Sequence, residues 1–241
     1  MNRSEAVSTE VHAAWADLAE VPSGDGWLTA AEAEVHAGFR FAKRRGDWRV
    51  GRWAAKRAVA AYLGGMDVGG IEILAAEDGA PLVRLPGGDS GPVALSLSHS
   101  HGRGFAVATS DTEALGCDLE AVAPRTSAFI QDYLTELERD FVLAFEGAPR
   151  DEAANLVWCA KEAALKALRQ GLRLDPRGVE VRFEDYPQDD GGWTRLAVNG
   201  TGTERFSGWW RMLGGFAWAI VVRGSGRPSV VEHRPAPAGA D

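Results

Sequence analysis

The stretch WCAKEAALKALRQG, residues 158–171, decides how the rest of the chain is read. Ala, Leu, Glu and Lys are strong helix formers, so the segment is predicted to be a helix. At 3.6 residues per turn, Trp158, Glu162 and Lys166 recur every four residues and share one face. An acid and a base spaced this way are commonly a solvated pair contributing only a few tenths of a kcal/mol. What they do here depends on what else the chain brings to that face.

An echo of the same stretch lies upstream. WAAKRAVAAYLG, residues 53–64, repeats the order Trp, Ala, Lys, charged residue, Ala, then an apolar helix ending near Gly. GFAVA at 104–108 is likewise echoed by GFAWA at 215–219, so the offsets are 105 and 111 residues. Similar offsets point to a diverged duplication. Each half then offers period-2 apolar runs bounded by Gly, Pro and Asp, the pattern of strands. In the first half these are residues 70–74, 81–85, 93–99 and 104–110; in the second, 114–122, 178–183, 194–198 and 214–222. TELE at 135–138 fits a capping box, with Thr135 at the N-cap and Glu138 three residues on. The expected fold is α+β: two similar α+β lobes related by a pseudo-two-fold duplication. The expected boundaries are 1–112 for the first lobe and 113–225 for the second, with a disordered Pro/Ala-rich tail over 226–241.

Composition narrows the function. With 241 residues, 45% of them hydrophobic, the chain can bury one large core or two small ones. Its longest apolar run, FAWAIVV at 216–222, is strand-sized, far short of the roughly 18 residues of a membrane span. Two cysteines make no disulfide framework, and the N-terminus has no signal-peptide pattern, so a cytoplasmic protein without membrane contact is expected. A net charge of −8 argues against a nucleic-acid partner. Against that acidic background stands RFAKRRGDWRVGRWAAKR, residues 40–57, dense in Lys and Arg with Asp47 its one acid.

The second chemical stretch is GCDLE, residues 116–120. On a strand, Asp118 and Glu120 point to one face, and Cys117 and Leu119 to the other. Two carboxylates one strand step apart repel unless a cation lies between them. Alone, each feature is most simply a solvated face. Together with Glu162 they form a set of three carboxylates of the kind that holds Mg²⁺, which keeps several waters and bridges substrate phosphates. Lys166, the basic segment and SLSHSH at 96–101 add groups for phosphate oxygens. The convergence points to metal-assisted chemistry at a phosphoanhydride.

GCDLE followed about forty residues later by WCAKEAALKA resembles the two-part signature of the 4′-phosphopantetheinyl transferases. The length, the duplicated halves and the upstream LSHS resemble the larger, monomeric surfactin-synthetase-activating (Sfp-type) branch. Such enzymes move the 4′-phosphopantetheine arm of coenzyme A to a serine of an apo acyl or peptidyl carrier protein and release 3′,5′-ADP. The resemblance implies polyketide or nonribosomal-peptide carriers as partners. It implies Mg²⁺, with Mn²⁺ as an alternative, held by Asp118, Glu120 and Glu162 and in contact with the coenzyme A pyrophosphate. Lys166 and Lys161 would lie at the pyrophosphate, Ser98 and His99 at the 3′-phosphate, and Glu162 would take the proton of the carrier serine. In the basic segment Arg45 and Arg52 are expected at the phosphate and adenine side, since forked donors suit phosphates; Lys56 is a further candidate.

Two departures from the pattern matter. Where many relatives have Gly-Lys-Pro, this chain reads Gly79-Ala80-Pro81, so Arg84 or the 43–45 cluster is expected to compensate for the lost cation. The upstream echo has Arg57 and Ala61 where the downstream helix has Glu162 and Lys166, so a single site per chain is expected. Two other readings compete with carrier modification. One is another Mg²⁺-dependent phosphotransferase, which the absence of a Gly-rich phosphate loop disfavours. The other is a catalytically silent module that docks carrier proteins.

Overall fold

Each half of the chain builds a sheet and lays one long helix across it. The computed structural model describes residues 10–87, 93–110, 114–169, 174–184, 186, 192–200, 202–224 and 229–233. The first half runs β1 (Glu10–Asp17), α1 (Ala30–Ala37), α2 (Ala42–Tyr62), β2 (Glu72–Ala75), β3 (Pro81–Arg84), β4 (Val93–Ser100) and β5 (Arg103–Ser110). The second runs β6 (Leu115–Ala121), α3 (Ser127–Tyr133), α4 (Glu136–Leu143), α5 (Gly147–Ala167), β7 (Glu180–Phe183), β8 (Thr194–Asn199), β9 (Arg205–Leu213) and β10 (Phe216–Arg223), followed by β11 (Ser229–His233). One sheet has the order β11-β1-β5-β4, another β6-β10-β9-β8-β7, and β2-β3 form a separate hairpin. The chain is α+β, as its patterning predicts.

Alternation along the strands sorts the residues into layers. Ala106 and Ala108 of β5 pack with Ala54, Ala58 and Val59 of α2. On the opposite face Phe105 and Val107 meet Cys117, Leu119, Trp218 and Ile220 from the other sheet. Ala217, Ala219 and Val221 turn away from that layer onto Ala160, Ala163 and Ala164 of α5. The order is helix, sheet, sheet, helix. Small residues line both helix–sheet contacts, and each is closest at a glycine. A Cβ on Gly104 would lie 2.3 Å from the Val50 carbonyl oxygen, and one on Gly116 would lie 1.8 Å from that of Ala163. Only glycine permits such an approach.

The halves also share a buried ion pair. Thr29 N-caps α1 in a capping box with Glu32, and Thr135 N-caps α4 in one with Glu138. Glu32 lies 2.6 Å from Lys56 Nζ and accepts the Ile73 amide at 3.0 Å. Glu138 lies 2.6 Å from Lys161 Nζ and accepts the Val181 amide at 2.8 Å. Lys56 completes its shell on the Trp27 carbonyl and Lys161 on the Val179 carbonyl. Spacing in sequence and contacts in space therefore repeat together.

Three strands escape a reading by pattern. β1, EVHAAWAD, is rich in alanine, a helix former; β9, RFSGWWRML, is broken by Gly208 and a charged residue. The third corrects the expected disordered tail. Residues 229–233 form β11, paired in parallel with β1 from Glu10↔Ser229 to Ala14↔His233. Two β-branched residues, Val230 and Val231, and an otherwise open sheet edge favour this addition, with Val230 packed on the inter-sheet core. The remainder of the expected tail, 226–228 and 234–241, lies outside the described residues.

Candidate functional site

The carboxylates of GCDLE stand where the two sheets meet at their edge strands, β4 and β6. SLSHS supplies the seam: alternate serines of β4 face β6. Ser96 Oγ accepts from the Cys117 amide at 2.9 Å, Ser100 Oγ accepts from the Ala121 amide at 3.3 Å, and between them Ser98 Oγ donates to Asp118 Oδ1 at 2.7 Å. Ser98 is buried, and its hydroxyl serves Asp118. The neighbouring residue, His99, points to the opposite side of the strand, as period 2 requires.

α5 covers the same carboxylates. Because Gly116 lets the helix press on β6, Lys166 Nζ reaches Asp118 Oδ1 at 2.7 Å and the carbonyl oxygens of Cys117 and Leu97 at 3.1 and 3.4 Å. Burial pulls down the Lys166 pKa, but the charge and hydrogen bond of Asp118, with Cys117 and Glu162, together outweigh it and raise the ammonium above its ordinary value. Trp158, two turns before Lys166, donates its indole N–H to Glu120 Oε1 at 3.2 Å, and Arg125 Nη2 lies 3.5 Å from Glu120 Oε2. Half-buried Glu162 lies between them on the same stripe and has no hydrogen bond or ion pair to any described residue. Burial, then repulsion from Asp118, raises the pKa of both Glu162 and Glu120.

Mg²⁺ is the ion this set was expected to hold. Among the described residues no three His, Cys, Asp or Glu side chains converge on one point. The carboxylates of Asp118, Glu120 and Glu162 are near enough to perturb one another without closing on a centre. One observation does fit a cation: Asp118 Oδ2 is buried without a hydrogen-bond partner, beside two carboxylates that burial and repulsion already strain. A desolvated carboxylate oxygen with no partner is costly, and a divalent cation would satisfy it.

Past His99 opens a pocket of about 520 Å³ lined by Phe39, Phe41, Lys43, Arg44, Asp47, Trp48, Gly51, Arg52, Leu97 and His99. Its cations and Trp48 come from α2, and Phe39 and Phe41 from the approach to that helix. Arg52 lies 4.8 Å over the Trp48 ring; its Nε is buried without a partner, and desolvation lowers its pKa to about 10. Desolvation also lowers His99, with Lys166 and Lys43 acting in the same direction against Asp47 and Asp118. Lys43 is paired with Asp47 at 2.6 Å, but Arg44 and Arg52 have no carboxylate partner among the described residues, and with aromatic faces beside them they suit a planar, anionic ligand.

Other expected contacts fall elsewhere. Lys56 and Lys161 are fully buried on Glu32 and Glu138, in the two repeated pairs, and neither faces the site. Their place in the motif is structural, because a buried ammonium is retained only when paired. Arg45 is exposed and does not line the pocket; Lys43, Arg44 and Arg52 do. Arg84 crosses its hairpin to Glu72 at 3.5 Å; at the turn of Ala80, Asp78 lies 3.7 Å from Arg169. Sequence reasoning missed Arg125 and Asn155, whose roles depend on a contact between a loop and α5. Cys117 and Cys159 are free and buried, and burial pushes the Cys117 thiol up to about 12, so neither supplies a thiolate.

Strand pairing shows what the first lobe puts in the equivalent place. Trp15 pairs with Phe105 and Ala121 with Phe216, the phenylalanines of the two GFA echoes. Counting back along each strand sets Ala14 opposite Glu120 and His12 opposite Asp118. His12 there bonds His233 of β11 at 3.0 Å. Arg57, the counterpart of Glu162, donates to the Trp15 and His233 carbonyls. The first lobe has no carboxylate at these positions.

Residues 114–210 match the model of the family described as the 4′-phosphopantetheinyl transferase superfamily, ACPS. No curated protein matches the chain. Among solved structures, the chain is similar to a holo-(acyl-carrier-protein) synthase from Bacillus anthracis str. Ames in complex with CoA (3′,5′-ADP). The two are 23% identical with a TM-score of 0.38, over 45% of this chain and 93% of that one.

Proposed function

We propose that the chain is a 4′-phosphopantetheinyl transferase that moves the phosphopantetheine arm of coenzyme A to a serine of an apo acyl or peptidyl carrier protein. The match of residues 114–210 to that superfamily's model supports the class of reaction. The observation that carries the reading to this chain's own residues is the pairing of two features along β4. On one side Asp118 has a buried, unpartnered oxygen beside Glu162 and Lys166; on the other is a cationic, aromatic pocket. A ligand with a diphosphate and a phosphorylated nucleoside end would use both at once.

The residues divide the chemistry between them. Lys43, Arg44, Arg52 and His99 bind the nucleotide phosphate, while Trp48 and Phe39 offer faces to the base. Lys166, kept charged by Asp118, meets the pyrophosphate. Asp118, with Glu120 and Glu162, would hold Mg²⁺, which would supply charge stabilisation for the phosphoanhydride. Glu162, with no hydrogen bond or ion pair to a described residue and with a raised pKa, accepts the proton of the carrier serine. The serine oxygen bonds to the phosphorus of the pantetheine phosphate, the phosphoanhydride bond breaks, and 3′,5′-ADP leaves.

Both lobes within one chain, with a carboxylate set in the second alone, support the larger monomeric branch, polyketide or nonribosomal-peptide carriers, and one site per chain. No helix among the described residues is long and apolar enough to cross a membrane, and both cysteines are free thiols, which supports a cytoplasmic location. The test is intact mass of apo carriers of the fatty-acid, polyketide and peptide classes after incubation with the protein, coenzyme A and Mg²⁺. A gain of one phosphopantetheine, lost with EDTA, is the expected result. No gain on any class while coenzyme A still binds would overturn the reading in favour of a silent docking module.

A further inference from the structure

We infer that Arg125 is a positioning residue for Glu120: anchored on α5, it holds that carboxylate toward Asp118 and Glu162. This inference rests on the functional reading above. Glu120 is next to last in β6 and has three rotatable side-chain bonds, so nothing in the strand itself orients its carboxylate. Two donors do. Trp158 Nε1 lies 3.2 Å from Oε1, and Arg125 Nη2 lies 3.5 Å from Oε2.

Arg125 is itself fixed from several directions. Its Nε donates to Asn155 Oδ1 at 2.8 Å, and its guanidinium carbon lies 4.6 Å from the centre of the Phe129 ring. Its backbone N–H donates to Asp151 Oδ1 at 3.3 Å, and its carbonyl accepts from Arg150 at 3.3 Å. Asn155 is fully buried, with its amide held by the carbonyls of Ala123 and Asp151 at 2.7 and 2.8 Å. The contact to Glu120 is the longest of the guanidinium's hydrogen bonds. The arginine is therefore set by the helix, and the glutamate is tethered to it.

Spacing explains why one helix does all of this. Asp151, Asn155, Trp158, Glu162 and Lys166 fall at intervals of four, three, four and four on one stripe of α5. The stripe that presents Glu162 and Lys166 thus fixes the loop after β6, and through it the direction of Glu120. Lysine could not substitute, since one ammonium lacks the planar fork that serves Asn155 and Glu120 while stacked on Phe129.

The test is Mn²⁺ affinity by calorimetry on the full chain, with thermal melts alongside. Positioning and bare charge predict opposite signs. If Arg125 acted only as a competing cation, removing it would tighten Mn²⁺ binding. The expected result is five- to ten-fold weaker binding in Arg125→Ala and similar weakening in Arg125→Lys, with melting temperatures lowered by the lost Asn155 contact but the chain still folded at the assay temperature. Unchanged or tighter binding in Arg125→Ala, or full affinity in Arg125→Lys, would overturn the inference while leaving the transferase reading intact. Should the alanine variant not fold, the lysine variant decides alone. A wild-type chain that bound no Mn²⁺ and modified no carrier would overturn both.

Discussion

The Lys166 ammonium takes one oxygen of Asp118, at 2.7 Å, and leaves the other buried without a partner. A lysine and an aspartate 48 residues apart are thus joined in a pair whose unused half faces two further carboxylates. Replacing Asp118 by Asn removes the charge but keeps the shape. Transfer should fall at least a hundredfold. Stability should fall by about 2 kcal/mol, the worth of a charged hydrogen bond, because Lys166 retains its carbonyl partners. Carrier modification rates and a denaturant melt check the two separately.

Glu162 carries the opposite balance. Its folded pKa is raised, so its ionised form is disfavoured and stability falls as pH rises through that pKa. Glu162→Gln should therefore melt higher than wild type near pH 7.5, by on the order of 1 kcal/mol, with transfer strongly reduced. The gain should vanish at about pH 3, well below the ordinary glutamate pKa, where the acid is protonated in both folded and unfolded chains. Equal melts at neutral pH would show that the carboxylate carries no strain.

Gly116 sets the distance between α5 and β6. A Cβ there would overlap the Ala163 carbonyl at 1.8 Å, so Gly116→Ala should cost about 3 kcal/mol and disrupt the site. Gly24, with no atom within 4 Å of an added Cβ, is the control, and its alanine variant should melt like wild type.

Lys56 and Lys161 hold the two halves together internally. Lys161→Met strands Glu138 in the interior and should cost about 3–5 kcal/mol, as should Lys56→Met with Glu32. The folded fraction of either should bind coenzyme A with unchanged affinity by calorimetry. A selective loss of affinity at full stability would return these lysines to the ligand.

The last strand should loosen in acid. His12 and His233 share a hydrogen bond, and burial, chiefly, lowers both pKa values; Arg57 adds to it at His233, while Glu10 opposes it at His12. The unfolded chain then binds more protons than the folded one just below the ordinary histidine pKa, so stability falls as pH drops from 7.5 toward 5. His233→Gln should flatten that slope in thermal melts without changing it near pH 8.

Much of the architecture is legible in the chain. The Trp-Ala-Lys helices, the paired GFA strands and the TELE cap announce two halves, and alternation in GCDLE assigns Asp118 and Glu120 to one face and Cys117 to the core. β1 and β9 are less visible, because alanine and a central glycine disguise period 2, and β11 forms only against an edge that another part of the chain supplies.

What the sequence determined alone was local: which residues share a helix stripe or a strand face, and hence that Glu162 and Lys166 travel together, as do Asp118 and Glu120. Only the tertiary structure decided which of these groups meet. It moved Ser98 to Asp118, withdrew Lys56 and Lys161 into buried pairs, and placed Arg125 on Glu120. The reason is that periodicity fixes direction within an element. Distance between elements depends on packing, here on how far a glycine lets a helix descend onto a sheet.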